Sequence, residues 1–150
     1  MTTKVWGPPI WTLFHVLAEK IHQDKFPALK NALIHHIKSI CYNLPCPTCA
    51  AHAKAFLLKI NFAMINDKTT LQNFLHNFHN TVNKRKSLPI FDKAKLVGYK
   101  NIILTSAFNN FLLAFNTKGN MTLLADSFQR SIILKNLKTW LHDNSSCFDA

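Results

Sequence analysis

The chain has 150 residues, 48% apolar and 11% aromatic, which suits one folded domain with a real core. Only 3 glycines occur (Gly7, Gly98, Gly119), so a P-loop or Rossmann phosphate turn, each built on clustered glycines, is excluded, and a turn-rich sandwich or barrel is disfavoured. Eighteen Lys and Arg against 7 Asp and Glu leave a formal charge of +11, which attracts polyanions. Those cations are spread along the chain apart from Lys84-Arg85-Lys86, so a solvated cationic surface is expected rather than specific nucleic-acid binding.

Helical periodicity dominates in chain order. The N-terminus lacks the apolar run of a signal peptide, and Pro8 and Pro9 seed a first helix over roughly Ile10 to Gln23. Pro27 seeds a second, whose stripe Leu29, Leu33, Ile37, Ile40, Cys41 and Leu44 ends at Pro45. A third starts near Pro47, with Cys49, Ala53, Phe56, Leu57 and Ile60 on one face. A fourth opens at a capping-box pattern, Thr69-Thr70-Leu71-Gln72, carries Leu71, Phe74, Leu75, Phe78 and Val82, and stops before Pro89.

Further helices follow, the last opening at Asp126-Ser127-Phe128-Gln129 with Ile133, Leu134, Leu137, Trp140 and Leu141 on its stripe. Lys118-Gly119-Asn120 reads as a linker, and Asn144 to Ala150 are expected to fray. The most apolar stretch, Ile102 to Phe115, is interrupted by Thr105, Ser106, Asn109 and Asn110, so no membrane association is expected. The expectation is a soluble protein made in the cytosol, where paired cysteines are usually catalytic.

Three segments carry chemistry. In Leu44-Pro45-Cys46-Pro47-Thr48-Cys49, two cysteines at a helix start can close a short disulfide, and the helix N-terminus stabilises a thiolate. Zinc and inert core cysteines are the alternatives; Cys41 and His52 could complete a zinc site, but no second CxxC or HxxxH follows, and Cys41 reads as a buried thiol. His76, His79, Asn80 and Asn83 fall at i, i+3, i+4 and i+7, either a solvated polar face or one suited to a flat, hydrogen-bonding ligand. Trp6-Gly7-Pro8-Pro9-Ile10-Trp11, with His15 one turn on, is either core packing or an aromatic shelf for a planar ring.

In order and spacing, these segments resemble the Erv/ALR family of FAD-linked sulfhydryl oxidases. The matching residues are Trp6-Gly7-Pro8 through Trp11 and His15, the Leu44–Cys49 run with His52, and His79-Asn80-Thr81-Val82-Asn83-Lys84 closed by Pro89 and Phe91. The form is most similar to those of large cytoplasmic DNA viruses. The resemblance implies an all-α fold, a four-helix bundle over residues 6–100 with additional C-terminal helices over 101–150 that pack on the core or make a homodimer interface.

It implies FAD held by Gly7, Trp11, His15, His79, Asn80, Val82, Asn83 and Lys84, with Lys86, Tyr99 and Lys100 as further candidates, and no metal. It implies that Cys46 and Cys49 are catalytic: protein dithiols exchange at Cys46, Cys49 hands the electron pair to FAD, and oxygen leaves as hydrogen peroxide. A site in the cytoplasm of the infected host cell and in the virion follows from the viral likeness. The rival class is a non-catalytic helical zinc- or nucleic-acid-binding protein of a virus. Against the family pattern, His76 stands where a structural cysteine is frequent, Ser87 where glycine is usual, and Leu44 where tyrosine is common; the tail holds Cys147 alone.

Overall fold

Residues 3–116 and 124–150 are described in the computed structural model, and among them helices account for the regular structure. The helices are α1 (Thr3–Lys20), α2 (Phe26–Tyr42), α3 (Pro47–Leu58), α4 (Lys68–Arg85), α5 (Leu104–Phe115) and α6 (Leu124–Asp143). A 3₁₀ segment, Lys93–Asn101, leads into α5. The expected linker at Lys118-Gly119-Asn120 lies outside the described residues.

Local chemistry explains most boundaries, with two corrections. Helix α1 begins at Thr3, before the prolines, so Pro8 and Pro9 lie inside it. Both fall early in the helix, where the carbonyls that lose a donor belong to exposed Lys4 and Val5, within reach of water. The capping box of α4 is Asp67 with Thr70, not Thr69 with Gln72. Asp67 Oδ1 accepts from Thr70 N–H at 2.8 Å, and Thr70 Oγ1 accepts from Asp67 N–H at 3.1 Å. A carboxylate is the stronger acceptor there, and such a cap is worth about 1 kcal/mol.

The other end of α4 closes on Ser87, whose φ of 55° is left-handed. Leu88 N–H donates to Asn83 O at 2.8 Å and Ser87 N–H to Lys84 O at 3.2 Å, the paired bonds of a Schellman motif. A serine there bears a Cβ clash that glycine lacks. Ser87→Gly should therefore raise the stability of the folded chain by about 1 kcal/mol, seen as a higher urea midpoint at unchanged slope.

α1 and α4 run antiparallel. Lys68 Nζ donates to Glu19 O at 2.7 Å at one pole, while Trp11 packs on Phe78 and His79 toward the other. Helix α2 packs against α3 and α6, and α5 lies along α1. Leu13 and Leu17 of α1, Leu33 and Ile40 of α2, Leu71 and Leu75 of α4, Phe111 and Phe115 of α5 and Leu137 of α6 are all fully buried in one cluster. Each such side chain contributes about 1.5–3 kcal/mol relative to exposure.

The C-terminal tail does not fray. Phe148 is buried and pairs across an isolated bridge with Ile21. His22 N–H donates to Cys147 O at 2.8 Å, Asp149 N–H to Lys20 O at 2.8 Å, and Leu104 N–H to Ala150 O at 2.7 Å. The tail thus docks on the end of α1, at the pole that holds Glu19, and the aromatic Phe148 supplies the burial that a purely polar tail would lack.

Candidate active site

Cys46 and Cys49 sit where Pro45 ends the α2 stripe and Pro47 starts α3. Cys46 is the N-cap of α3, its extended backbone turning the chain into the helix, and its Sγ accepts from Cys49 N–H at 3.2 Å. Burial works against ionisation of Cys46, but hydrogen bonds from the Cys49 thiol and from the Cys49 and Thr48 amides, with the charge of Lys86, outweigh it. The net effect holds the Cys46 thiol below its ordinary value. Cys49 is shifted upward, first by burial, then by its bond to Cys46 and by Cys46's charge, with Lys86 and Arg85 pulling the other way. Cys46 is thus the readier thiolate.

Behind the pair, a cavity of about 60 Å³ lies between Cys49, Cys41, Trp6, Trp11, Phe78 and Arg85, and Cys46 is not among its lining residues. A second cavity, of about 260 Å³, runs from Lys4 past Thr12, His79 and Asn83 to Tyr99. Gly7, Trp11, Val82 and Lys86 line both, so the two adjoin. A Cβ added at Gly7 would meet nothing within 4 Å, so the backbone there is open to close approach. Trp6 is buried, and its indole Nε1–H has no hydrogen-bond partner.

The polar stripe of α4 splits in two. His79, Val82, Asn83 and Lys86, at i, i+3, i+4 and i+7, face the larger cavity. His76 and Asn80 turn instead to Phe91: His76 Nε2–H donates to Phe91 O at 2.9 Å, Asn80 Nδ2 to the same oxygen at 3.1 Å, and Phe91 N–H to Asn80 Oδ1 at 2.7 Å. Asn80 therefore pins the segment before the 3₁₀ run. That segment lays Phe91 on His79 with ring centroids 4.7 Å apart. Lys84, two positions from Val82 and hence about 200° around the helix, is exposed and lines neither cavity; Arg85 and Lys86 of α4, with Lys4 of α1, are the cations that do.

The indole of Trp11 stacks on His79 at 4.2 Å and 5°. His15 lies behind this pair, 1% exposed, covered by Phe91 and Tyr99 at 5.3 and 4.8 Å, and it lines neither cavity. Its Nε2 is 2.9 Å from His79 Nδ1, so one nitrogen donates and the other accepts. Burial, then the neighbouring His79 and His76, lowers His15 to about 3; burial and His76 lower His79 to about 4. Both are neutral in the fold at pH 7. Trp6, Arg85 and Lys86 are the site residues that reading the motifs undervalued. The i, i+4 pair Trp6–Ile10 and the cations one turn beyond Val82 were the available signals.

The lowered histidines set a pH dependence. Above pH 6.5 they are neutral folded or unfolded and stability is intact; as pH falls below 6.5 the unfolded chain binds protons that the folded one refuses. Stability is lost progressively toward pH 3, and at pH 5 His15 alone costs about 2 kcal/mol. A urea midpoint at pH 5 well below that at pH 7.5, with a shallower dependence in His15→Gln, is the expected result.

A helical bundle that presents a CxxC at a helix N-terminus, backed by an aromatic-walled cavity with cations at its edge, defines a dithiol redox protein with room for a planar ligand beside the inner sulfur. The chain belongs to the Erv1/Alr family, whose model matches residues 8–101. It is 33% identical over 104 residues to the FAD-linked sulfhydryl oxidase of African swine fever virus (isolate Tick/Malawi/Lil 20-1/1983), covering 69% of this chain and 84% of that protein. Over 97 residues it is 33% identical to the FAD-linked sulfhydryl oxidase of the isolate Pig/Kenya/KEN-50/1950, covering 65% and 78%. Protein 347L of Invertebrate iridescent virus 6 is 28% identical over 96 residues, covering 60% and 86%. No solved structure matches the chain at a significant level.

Proposed function

We infer that the chain is an FAD-dependent thiol oxidase that forms disulfides in protein thiol substrates, with oxygen as the acceptor. The observation that carries this reading is Cys49 on the wall of a cavity whose other walls are Trp6, Trp11 and Phe78. The residues fit the cofactor. An aromatic enclosure suits a flat ring, Gly7 leaves room for close approach, Lys86 and Arg85 suit phosphate, and Trp6 Nε1–H is a buried donor awaiting an acceptor. When bound, FAD supplies the acceptor for the dithiol's electron pair and passes it to oxygen, releasing hydrogen peroxide.

We assign the protein's own steps as follows. In the oxidised enzyme a substrate thiolate attacks Cys46, the sulfur on the side away from the cavity, and Cys49 leaves as a thiolate. Two of the influences that raise Cys49, its bond to Cys46 and Cys46's charge, vanish once Cys46 is in a mixed disulfide. Lys86 and Arg85 then hold the Cys49 thiolate against the cavity. The second substrate thiol then attacks the substrate's own sulfur in the mixed disulfide, which forms the product disulfide and expels Cys46 as a thiolate.

Around the cavity, Gly7, Trp11, His79, Val82 and Asn83 hold the cofactor with Lys86, while His15 and Asn80 position it from behind, through His79 and Phe91. Lys84 contributes long-range charge. The reading includes a homodimer, which the exposed Val5 and Leu113 would help to cover, and action in the host-cell cytoplasm and virion. In this division of labour, residues 6–100 carry the chemistry and 101–150 support it.

The purified protein should be yellow, bleach with dithiothreitol under anaerobic conditions and consume oxygen in air; a colourless protein that takes up no oxygen after FAD addition refutes the reading. Trp6→Phe gives a sharper check, because its two effects have opposite sign. Removing an unpartnered buried donor should raise the melting temperature of the FAD-free protein. It should also weaken FAD binding about tenfold, since a buried hydrogen bond is worth about 1–1.5 kcal/mol. Unchanged FAD affinity in this variant would remove Trp6 from the site.

A further inference from the structure

We propose that the dithiol substrate is presented on an acidic segment of its carrier protein, which docks on a cation-rich pole of the bundle around Cys46. This rests on the thiol-oxidase reading and adds the chemical class of the partner.

Five of the chain's seven acids gather at one end of the bundle; the other two are Asp92 and Asp126, the latter in the first turn of α6. No Asp or Glu occurs in residues 1–18, 25–66 or 68–91, which supply the first part of α1 and all of α2, α3 and α4. Glu19 and Asp24 lie at the end of α1, Asp67 caps the start of α4, and Asp143 leads into the tail whose Asp149 meets His22 at 2.9 Å. All five belong to the pole where Lys68 reaches Glu19 and the tail docks. The CxxC, the start of α1 and the end of α4 form the opposite pole. Gly7 and Glu19 are about 18 Å apart along α1 at 1.5 Å per residue, roughly two Debye lengths at physiological salt. The acidic pole therefore cannot neutralise the other.

Asp92 follows Phe91 and caps the 3₁₀ run. Its carboxylate accepts from Ala94 N–H at 3.0 Å, and Lys93 and Lys95 flank it.

Around the CxxC the surface holds Lys84, Arg85 and Lys86 on one side and His52 and Lys54 on the other. Lys54 Nζ stands over the ring of exposed Tyr42 at 5.7 Å, and Tyr42 is one turn of chain before Cys46. Leu88 and Ile90 are 50% and 82% exposed beside the Lys84–Lys86 run. Cations interleaved with exposed apolar side chains suit a protein segment that carries carboxylates and apolar groups, and this pole draws the incoming thiolate as well.

The test uses the full-length, FAD-loaded protein and two synthetic peptides that share one Cys-X-X-Cys dithiol, flanked by glutamates in one and by lysines in the other. At low salt kcat/KM from oxygen uptake should favour the acidic peptide about tenfold, and the preference should shrink to within about twofold at roughly 0.5 M salt. Lys54→Glu should lower kcat/KM for the acidic peptide about fivefold and Lys54→Gln by less, with dithiothreitol turnover unchanged. Lys25→Glu, which changes net charge equally at the other pole, should leave it within about twofold.

Equal turnover of the two peptides at low salt overturns the proposal, as does an equal effect of Lys25→Glu and Lys54→Glu. Stronger inhibition by a short oligonucleotide than by a polyglutamate of the same charge would reassign the pole to nucleic acid and overturn it too. If dithiothreitol itself supports no oxygen uptake, the underlying thiol-oxidase reading is what fails.

Discussion

Cys49→Ser and Cys46→Ser should each lower oxygen-coupled thiol oxidation by at least about a thousandfold while keeping FAD bound, because an electron pair can leave a substrate dithiol only through an enzyme disulfide that needs both sulfurs. The two variants should differ in what remains. In Cys49→Ser, Cys46 exchanges the bond from the Cys49 thiol for one from the serine hydroxyl and keeps the helix-start amides and Lys86 that favour its thiolate. In Cys46→Ser, Cys49 keeps its burial and loses the neighbour whose charge opposed it. Aromatic disulfide reagents should therefore label the Cys46 thiol faster at pH 7, read by mass and by release of the coloured thiolate. Full turnover in either variant would sink the assignment, and faster labelling of Cys49 would reverse the order of the two sulfurs.

His79→Ala should weaken FAD binding by about tenfold, on the order of the 1–1.5 kcal/mol of a lost polar contact, because the imidazole lines the larger cavity and braces Trp11, which lines both cavities. His79 lies directly on Trp11 at 4.2 Å, with Phe91 on it at 4.7 Å, and it shares a hydrogen bond with His15. Loss of the imidazole would leave a neutral, buried His15 without its one partner, so some stability should fall with occupancy. His79→Phe separates these effects: it restores the stack and not the hydrogen bond. It should recover part of the FAD affinity, measured by flavin absorbance per chain and by titration of the FAD-free protein. Full occupancy in His79→Ala would place the cofactor elsewhere.

The motifs announced the chemistry because their spacing follows helical geometry. Cys46 and Cys49 flank a proline at a helix start, and the Trp11–His15 and His79–Asn83 pairs lie one turn apart, so each forms a patch whatever else the fold does. Their partners were not legible in the same way. Phe91 and Tyr99 reach His15 from the irregular segment after α4 and the 3₁₀ run that follows it, with no periodicity to report them. The burial of His15, the diversion of Asn80 to Phe91 and the exclusion of Lys84 from the cavity all depend on what packs against α1 and α4. Tail residues 144–150 gave the same lesson, because their place at the end of the sequence suggested fraying while Phe148 had a place in the core.

From its own order of residues the chain settles what is periodic and local: the helices, the apolar stripe of each, the thiol pair at the start of α3, and a charge distribution that leaves α2, α3 and α4 without carboxylates. Those features need only neighbours within a turn or two. Which sulfur meets the cavity, which imidazole is exposed and which cation stands beside the dithiol were decided by α1 and α4 meeting antiparallel under the cover of Phe91 and Tyr99. Burial, and with it each shifted proton affinity, is a property of surfaces brought together from distant positions, and no window of sequence contains both.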